Sequence, residues 1–309
     1  LYWRAWLSAH VSVLLEPWSV PAILLSLLAI ALAARVLVGL ARQLILKLVP
    51  RVVARLRGWL LRVYGVGQLI DLARRRFPRL TAWLEHRFAT DRFAGLPLTL
   101  IVLLAGYLAA IGTDLAEEVI ERSGIVGLDR QINQALAVVR DPDVVAVFAK
   151  ITHLADIMTL VAVTGVASAF LWADRRAAFL PGLWLAVAGS QLITYVGKYV
   201  IDRPRPEFLT FAHAATPSFP SGHATGAMAV YGFIAYAILR EVTQPRLRFE
   251  LAFWAGMLIA AIAASRMILS VHFASDVAAG LIVGAFWLLA GFALTEYLRE
   301  HASGRRRQL

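Results

Sequence analysis

"SRMILSVHFASD", residues 265–276, lies between two long apolar runs. An arginine, a histidine and an aspartate in such surroundings are costly unless each has a partner or a ligand. His272 and Asp276 are four residues apart, which puts them on one face if a helix begins there. Asp276 can then accept the Nδ1 proton of His272, fixing the tautomer and leaving Nε2 free to attack. Asp276 is equally suited to cap the N-terminus of the run that follows, and can do both.

The surroundings decide the fold class. The chain has 309 residues, of which 60% are hydrophobic, and a mean hydropathy of +0.68. That is too apolar for an ordinary soluble domain, and runs of about 18 or more apolar residues can each cross a bilayer. Seven spans are predicted: residues 18–40, 93–113, 151–172, 177–200, 223–239, 249–267 and 276–298. Between the first two lies a basic stretch, residues 42–92, where Arg51, Arg55 and Arg62 recur at helical spacing among apolar residues. This pattern predicts amphipathic helices at a membrane surface. The net charge is +11. Because most basic residues flank apolar runs, that charge points to membrane topology and anionic headgroups and not to nucleic acid. The absence of cysteine excludes disulfides, thiolate catalysis and cysteine metal sites. The first residue is Leu1, not Met, so a trimmed or processed chain is expected.

Seven spans place residues 42–92, 175–176, 240–248 and the polar tail 299–309 on one side, and all are rich in arginine. By the positive-inside rule that side is the cytoplasm. The acidic segment 114–143 falls on the other side, with residues 198–223 and 266–272. Basic residues in those last two segments run against the rule, and anion binding is the reason to keep them there. Three segments converge: "KYVIDRPRP" (residues 198–206), "PSGH" (residues 220–223) and the opening stretch. Lys198, Arg205 and Arg266 supply cations; Ser221 and the Gly222 amide supply further donors. This set suits a phosphoryl group, whose charge spreads over three equatorial oxygens during transfer. Gly222 lets backbone approach the ligand, and the helix terminus headed by His223 adds free amides. His223 is available as an acid for the leaving oxygen.

Lys198 with Arg205-Pro206, Pro220-Ser221-Gly222-His223, and Ser265-Arg266 with His272 and Asp276 together resemble the three-part signature of the type 2 phosphatidic acid phosphatase superfamily. That superfamily also includes vanadium haloperoxidases and bacterial acid phosphatases. The resemblance covers roughly residues 93–298. It implies an all-α integral membrane protein: a six-helix phosphatase core over 93–298, preceded by one extra transmembrane helix and a basic amphipathic cytoplasmic segment (1–92), and followed by a basic cytoplasmic tail (299–309). His272 is then the nucleophile that forms a phosphohistidine, Asp276 orients it and His223 protonates the leaving group. Lys198, Arg205, Ser221, Gly222 and Arg266 surround the phosphate. No metal and no cofactor are implied. Arg203 makes a second Arg-Pro pair; spacing from Lys198 selects Arg205, leaving Arg203 as an extra cation, for a headgroup or for Asp202. The resemblance implies a lipid phosphatase in a bacterial-type inner membrane, its site facing the periplasm or exterior, with the bilayer and a membrane lipid phosphate as partners. Undecaprenyl diphosphate, phosphatidylglycerophosphate, phosphatidic acid and lipid A phosphates are the substrate candidates. A lipid phosphotransferase with the same intermediate and a non-catalytic lipid-handling protein are the alternatives.

Overall fold

Apolar length dictates the architecture. The computed structural model describes residues 20–62, 66–90, 92–206 and 216–306, and among these every regular element is helical. Residues 18–19 of the expected first span and 307–309 of the tail lie outside the described residues. The helices are α1 (Val20–Arg62), α2 (Val66–Arg76), α3 (Pro78–Phe88), α4 (Leu96–Ile120), α5 (Gly124–Ala137), α6 (Pro142–Thr152), α7 (Ile157–Ala173), α8 (Leu180–Ile201), α9 (Gly222–Leu239), α10 (Pro245–Ile268) and α11 (Ala274–Arg306). Among the described residues six helical stretches are long and apolar enough to cross a membrane; the bent pair α6–α7 makes a seventh if counted as one span. The chain is an all-α integral membrane protein. It divides into two compact units, Leu25–Leu100 and one that contains Ile101–Leu309.

Three sequence expectations change. The first span does not stop at residue 40: α1 is a single helix of 43 residues that carries Pro50 within it. At 1.5 Å per residue it is about 65 Å long, roughly twice a hydrocarbon core. Past residue 40 the chain keeps strong helix formers (Leu, Arg, Ala), so loss of apolar continuity does not end the helix. The amphipathic helices follow as α2 and α3, joined by the Arg74 Nη2–Glu85 pair at 2.9 Å. The third span is not continuous from 151 to 172. A 3-10 turn, His153–Ala155, and an extended Asp156 (φ −61°, ψ 148°) break it, and α7 leaves at 48° to α6. Lastly, α11 runs on to Arg306 without a break at 298. Its last turns are held by Arg240 Nε on Glu296 at 2.7 Å and by Arg299 over the Phe179 ring at 4.8 Å.

Within the larger unit, α8, α9 and α11 form the centre. The outer faces of α8 and of its neighbour α7 carry exposed Val161, Phe170, Leu192 and Val200, as lipid-facing surfaces do. The inner faces use small residues, because association inside a bilayer depends on close backbone approach and not on hydrophobic expulsion from water. Ala224, Ala227 and Ala229 on α9 are fully buried. A Cβ on Gly280 would sit 2.5 Å from the Ser221 carbonyl oxygen, and one on Gly284 would sit 2.8 Å from that of Thr225. One end of this bundle carries the α7–α8 and α9–α10 turns, tied by Arg176 Nη1 to Glu241 at 3.6 Å. The other end is capped by α5 and α6. Arg140, between those two helices, donates from Nε to the Ile268 carbonyl and from Nη2 to the Met267 carbonyl, both at 2.9 Å.

Candidate active site

The capped end gathers all the residues singled out in the sequence. Lys198 stands in the last turn of α8 and Arg205 in the strand-less segment after it. Gly222 and His223 open α9, Arg266 closes α10, and His272 occupies the short link to Asp276 in the first turn of α11. Helix ends thus deliver charged groups where the bundle meets the interface.

The surroundings of His272 are buried. His272 is 3% exposed and Asp276 0%. His272 Nδ1 lies 3.5 Å from Asp276 Oδ2, the longest of that carboxylate's contacts. Asp276 Oδ2 also accepts from the Phe273 amide at 2.8 Å and, over a short hydrogen bond, from the Ser218 hydroxyl. One carboxylate thus meets both the Phe273 amide at the start of α11 and the His272 ring. Burial pushes the His272 imidazole down from its ordinary 6.5 to about 3, against the opposing pull of Asp276. The ring is neutral at physiological pH, the form that can attack. Its Nε2 sits 3.3 Å from Arg205 Nη1, so this ring nitrogen and the guanidinium are adjacent. Arg205 is fixed by the Thr216 carbonyl (2.8 Å) and the Val271 carbonyl (2.7 Å). Lys198 Nζ donates to the Pro217 carbonyl at 2.6 Å.

Two donors in this set are orphans. Ser221 Oγ and Arg266 Nε are buried without a hydrogen-bond partner among the described residues. Arg266 is otherwise steadied by Nη1 donating to Thr152 Oγ1 at 2.7 Å. A buried unpaired donor costs about 1–3 kcal/mol, a cost removed by an anion that supplies oxygens to both. Among the described residues no group of three or more His, Asp or Glu side chains has a metal-holding arrangement.

Arg203 is not a partner of Asp202; two other carboxylates hold it. Asp202 adopts a left-handed conformation (φ 45°) that ends α8, and the chain reversal turns Arg203 inward, where it is 8% exposed. It donates to Asp276 Oδ1 at 2.6 Å and to Asp129 Oδ2 at 2.7 Å, and stacks on Phe273 at 4.4 Å. Asp129 in turn accepts from the Ser275 amide at 2.9 Å. Arg203 is the clamp behind the carboxylate that faces His272.

The leaving-group side is built differently. His223 Nε2 lies 3.0 Å from Asp156 Oδ1, and Asp156 Oδ2 lies 2.6 Å from His153 Nδ1. The exposure of the three side chains rises outward: 24% for His223 and 42% for Asp156, then 70% for His153. Sequence reading missed Asp156, Asp129 and Ser218. For Asp156 there was a signal: an ionisable pair, His153 and Asp156, inside what reads as a span. Asp129 and Ser218 carry none, since nothing local distinguishes them from solvated residues.

Comparison with known proteins agrees with this assembly. A family model, PAP2 superfamily, matches residues 179–300. Phosphatidylglycerophosphatase B of Bacillus subtilis (strain 168) is 31% identical over 180 residues, which cover 56% of this chain and 87% of that protein. A lipid A 1-phosphatase of Rhizobium johnstonii is 36% identical over 120 residues, 35% of this chain and 44% of the relative. Among solved structures, the transmembrane PAP2 type phosphatidylglycerolphosphate phosphatase of Bacillus subtilis superposes with a TM-score of 0.57 at 28% identity, covering 61% of this chain and 94% of that one.

Proposed function

This chain belongs to the PAP2 superfamily and is a phosphatase of that family, and from this premise we propose that it hydrolyses a membrane lipid phosphate through a phosphohistidine, on the extracytoplasmic face. His272 Nε2 attacks phosphorus while Arg205, Lys198, Arg266, the Ser221 hydroxyl and the Gly222 amide hold the non-bridging oxygens. The P–O bond to the lipid breaks, and His223 gives its proton to the departing oxygen. Water then attacks the phosphohistidine, His223 takes a proton from it, and orthophosphate leaves with His272 neutral again. Asp276 keeps the attacking tautomer, and Arg203 and Ser218 keep Asp276 in place.

The observation that carries this reading is the pair of buried, unpartnered donors, Ser221 Oγ and Arg266 Nε, in the same set as the Arg205–His272 contact of 3.3 Å. Cations and hydroxyl donors stand where a metal-dependent phosphatase would place carboxylates, so turnover persists in excess chelator. A polyprenyl diphosphate such as undecaprenyl diphosphate is the favoured substrate, because it is presented on the outer face; phosphatidylglycerophosphate, phosphatidic acid and lipid A phosphates follow.

Rapid-quench labelling with a ³²P-lipid in detergent and chelator tests the chemistry. The expected result is an acid-labile, alkali-stable label on the wild type and none on His272→Ala; phosphate release with no such label would overturn the intermediate. Orientation is read by impermeant thiol labelling of single cysteines in intact cells, at Val138 on the site end and Thr243 on the opposite end. Labelling at Thr243 and not at Val138 would invert the topology and restrict substrates to the inner leaflet.

A further inference from the structure

Residues 114–143 read as acidic in sequence, yet the fold sorts their charges. Asp129 is consumed by Arg203 and the Ser275 amide, and Asp141 by the Asp143 amide at the start of α6. Of the three arginines in the segment, Arg140 is held by backbone carbonyls; Arg122 and Arg130 are left, and none of the other acids, Asp114, Glu117, Glu118, Glu121 and Asp143, lines their cleft. Arg122 follows the last turn of α4, and Arg130 lies on the exposed face of α5 beside Asp129. Both line a cleft of about 570 Å³ together with Gln134, Phe273, Arg203 and Arg205. Neither Arg122 nor Arg130 forms a side-chain hydrogen bond or ion pair among the described residues, although Glu118 and Glu121 are close in sequence. Arg122 also holds a left-handed backbone conformation, φ 53°.

The charge does not cancel. Arg203 is covered by two carboxylates, Asp129 and Asp276. Arg205 meets backbone carbonyls and His272 but no carboxylate within hydrogen-bonding distance. Arg122, Arg130 and Arg205 therefore line one cleft with no carboxylate in hydrogen-bonding contact, and three guanidinium groups in a concave site without directly bonded acids suit an anion. Arg205 is shared: one side of it touches His272 Nε2, and the other belongs to the cleft. An anion held by Arg122 and Arg130 in this cleft would therefore share Arg205 with a phosphate at His272.

We propose that this cleft is a second phosphate subsite, which binds a phosphate of the substrate other than the one attacked, and that the enzyme prefers lipids bearing two phosphates a few bonds apart. This rests on the phosphatase reading above and narrows it: diphosphates and headgroups with a diester beside a terminal monoester are favoured over lipids with a single phosphate.

The test compares two substrates with one tail, farnesyl diphosphate and farnesyl monophosphate, on the purified full chain in detergent. Wild type is expected to favour the diphosphate in kcat/KM. Arg130→Gln and Arg122→Gln, both at exposed positions, are each expected to lower the diphosphate-to-monophosphate ratio by about tenfold, the loss of one charge-assisted contact. A ratio within twofold of wild type in both variants overturns the subsite. So does a wild type whose monophosphate turnover rises with added phosphatidylglycerol while the variants' does not, since a separate lipid headgroup then fills the cleft. Should wild type cleave neither substrate, the phosphatase reading fails by itself, and calorimetric binding judges the cleft. Pyrophosphate is expected to bind wild type more tightly than orthophosphate and to lose about tenfold in either variant; equal binding to wild type and variants overturns the proposal.

Discussion

The two histidines of the site live in opposite surroundings. His272 is almost wholly excluded from solvent, backed by a carboxylate that is itself clamped by Arg203, Ser218 and the Phe273 amide. His223 is backed by one carboxylate, Asp156, which stands at a break between two helices and leads to the exposed His153. The difference fits the roles proposed for the two rings. A nucleophile has to be neutral and fixed, and burial with a rigid carboxylate achieves both. A group that gives a proton and takes one back needs an exchange route to water, and a fully buried ring has none. Rigid packing is concentrated around His272, and contact with solvent around the chain from His223 to His153.

That contrast can be broken from either side. The largest effect is expected from His272→Ala, which removes the attacking nitrogen: turnover falls by about 10⁴-fold or more while the folded, detergent-stable protein is retained. Near-normal phosphate release from that variant would end the assignment. Next comes Arg203→Met, which leaves Asp276 and Asp129 buried without their cation. A cost of roughly 3–5 kcal/mol is expected, seen as a lowered Tm together with lost activity, with Arg203→Lys restoring part of each.

Asp156→Asn sharpens the other side. It is expected to slow lipid substrates by about 10- to 100-fold yet to spare p-nitrophenyl phosphate, whose leaving group needs no proton. His153→Ala, further out, should cost only a few-fold. Equal losses on both substrates would make Asp156 a structural residue and not a positioning one. The smallest effect is on stability. The folded His272 titrates near 3 against an ordinary 6.5, so between those values the unfolded chain binds a proton that the folded one does not. Stability is then complete above about pH 6.5 and declines as pH falls toward 3. His272→Gln should lose less Tm than wild type between pH 7 and pH 5; equal losses would show that the ring is not held neutral by burial.

Legibility in the sequence follows the same division. The cradle was readable because cations beside apolar runs on the arginine-poor side have no topological excuse, and Lys198, Arg205, Arg266, His223, His272 and Asp276 do meet at one end of the bundle. The chain reversal at Asp202 was not readable, because a left-handed aspartate leaves no periodic trace, and with it went the function of Arg203. The break at Asp156 was hidden by the apolar residues on either side of it, which average to a span. The continuation of α1 to Arg62 was hidden for the converse reason: hydropathy marks where a helix leaves lipid, not where it ends.

The Gly280 contact has a consequence for how this protein can vary. Ser221 heads the turn that presents His223, and its amide donates to the Asp276 carbonyl at 2.9 Å. Its own carbonyl lies 2.5 Å from where a side-chain carbon on Gly280 would begin. The separation of the two histidines is therefore machined by a hydrogen atom on α11, a gauge with almost no tolerance. Drift at residue 280 should be as sparse as at the histidines themselves, while Phe170 or Val200, facing lipid, exchange freely among apolar residues.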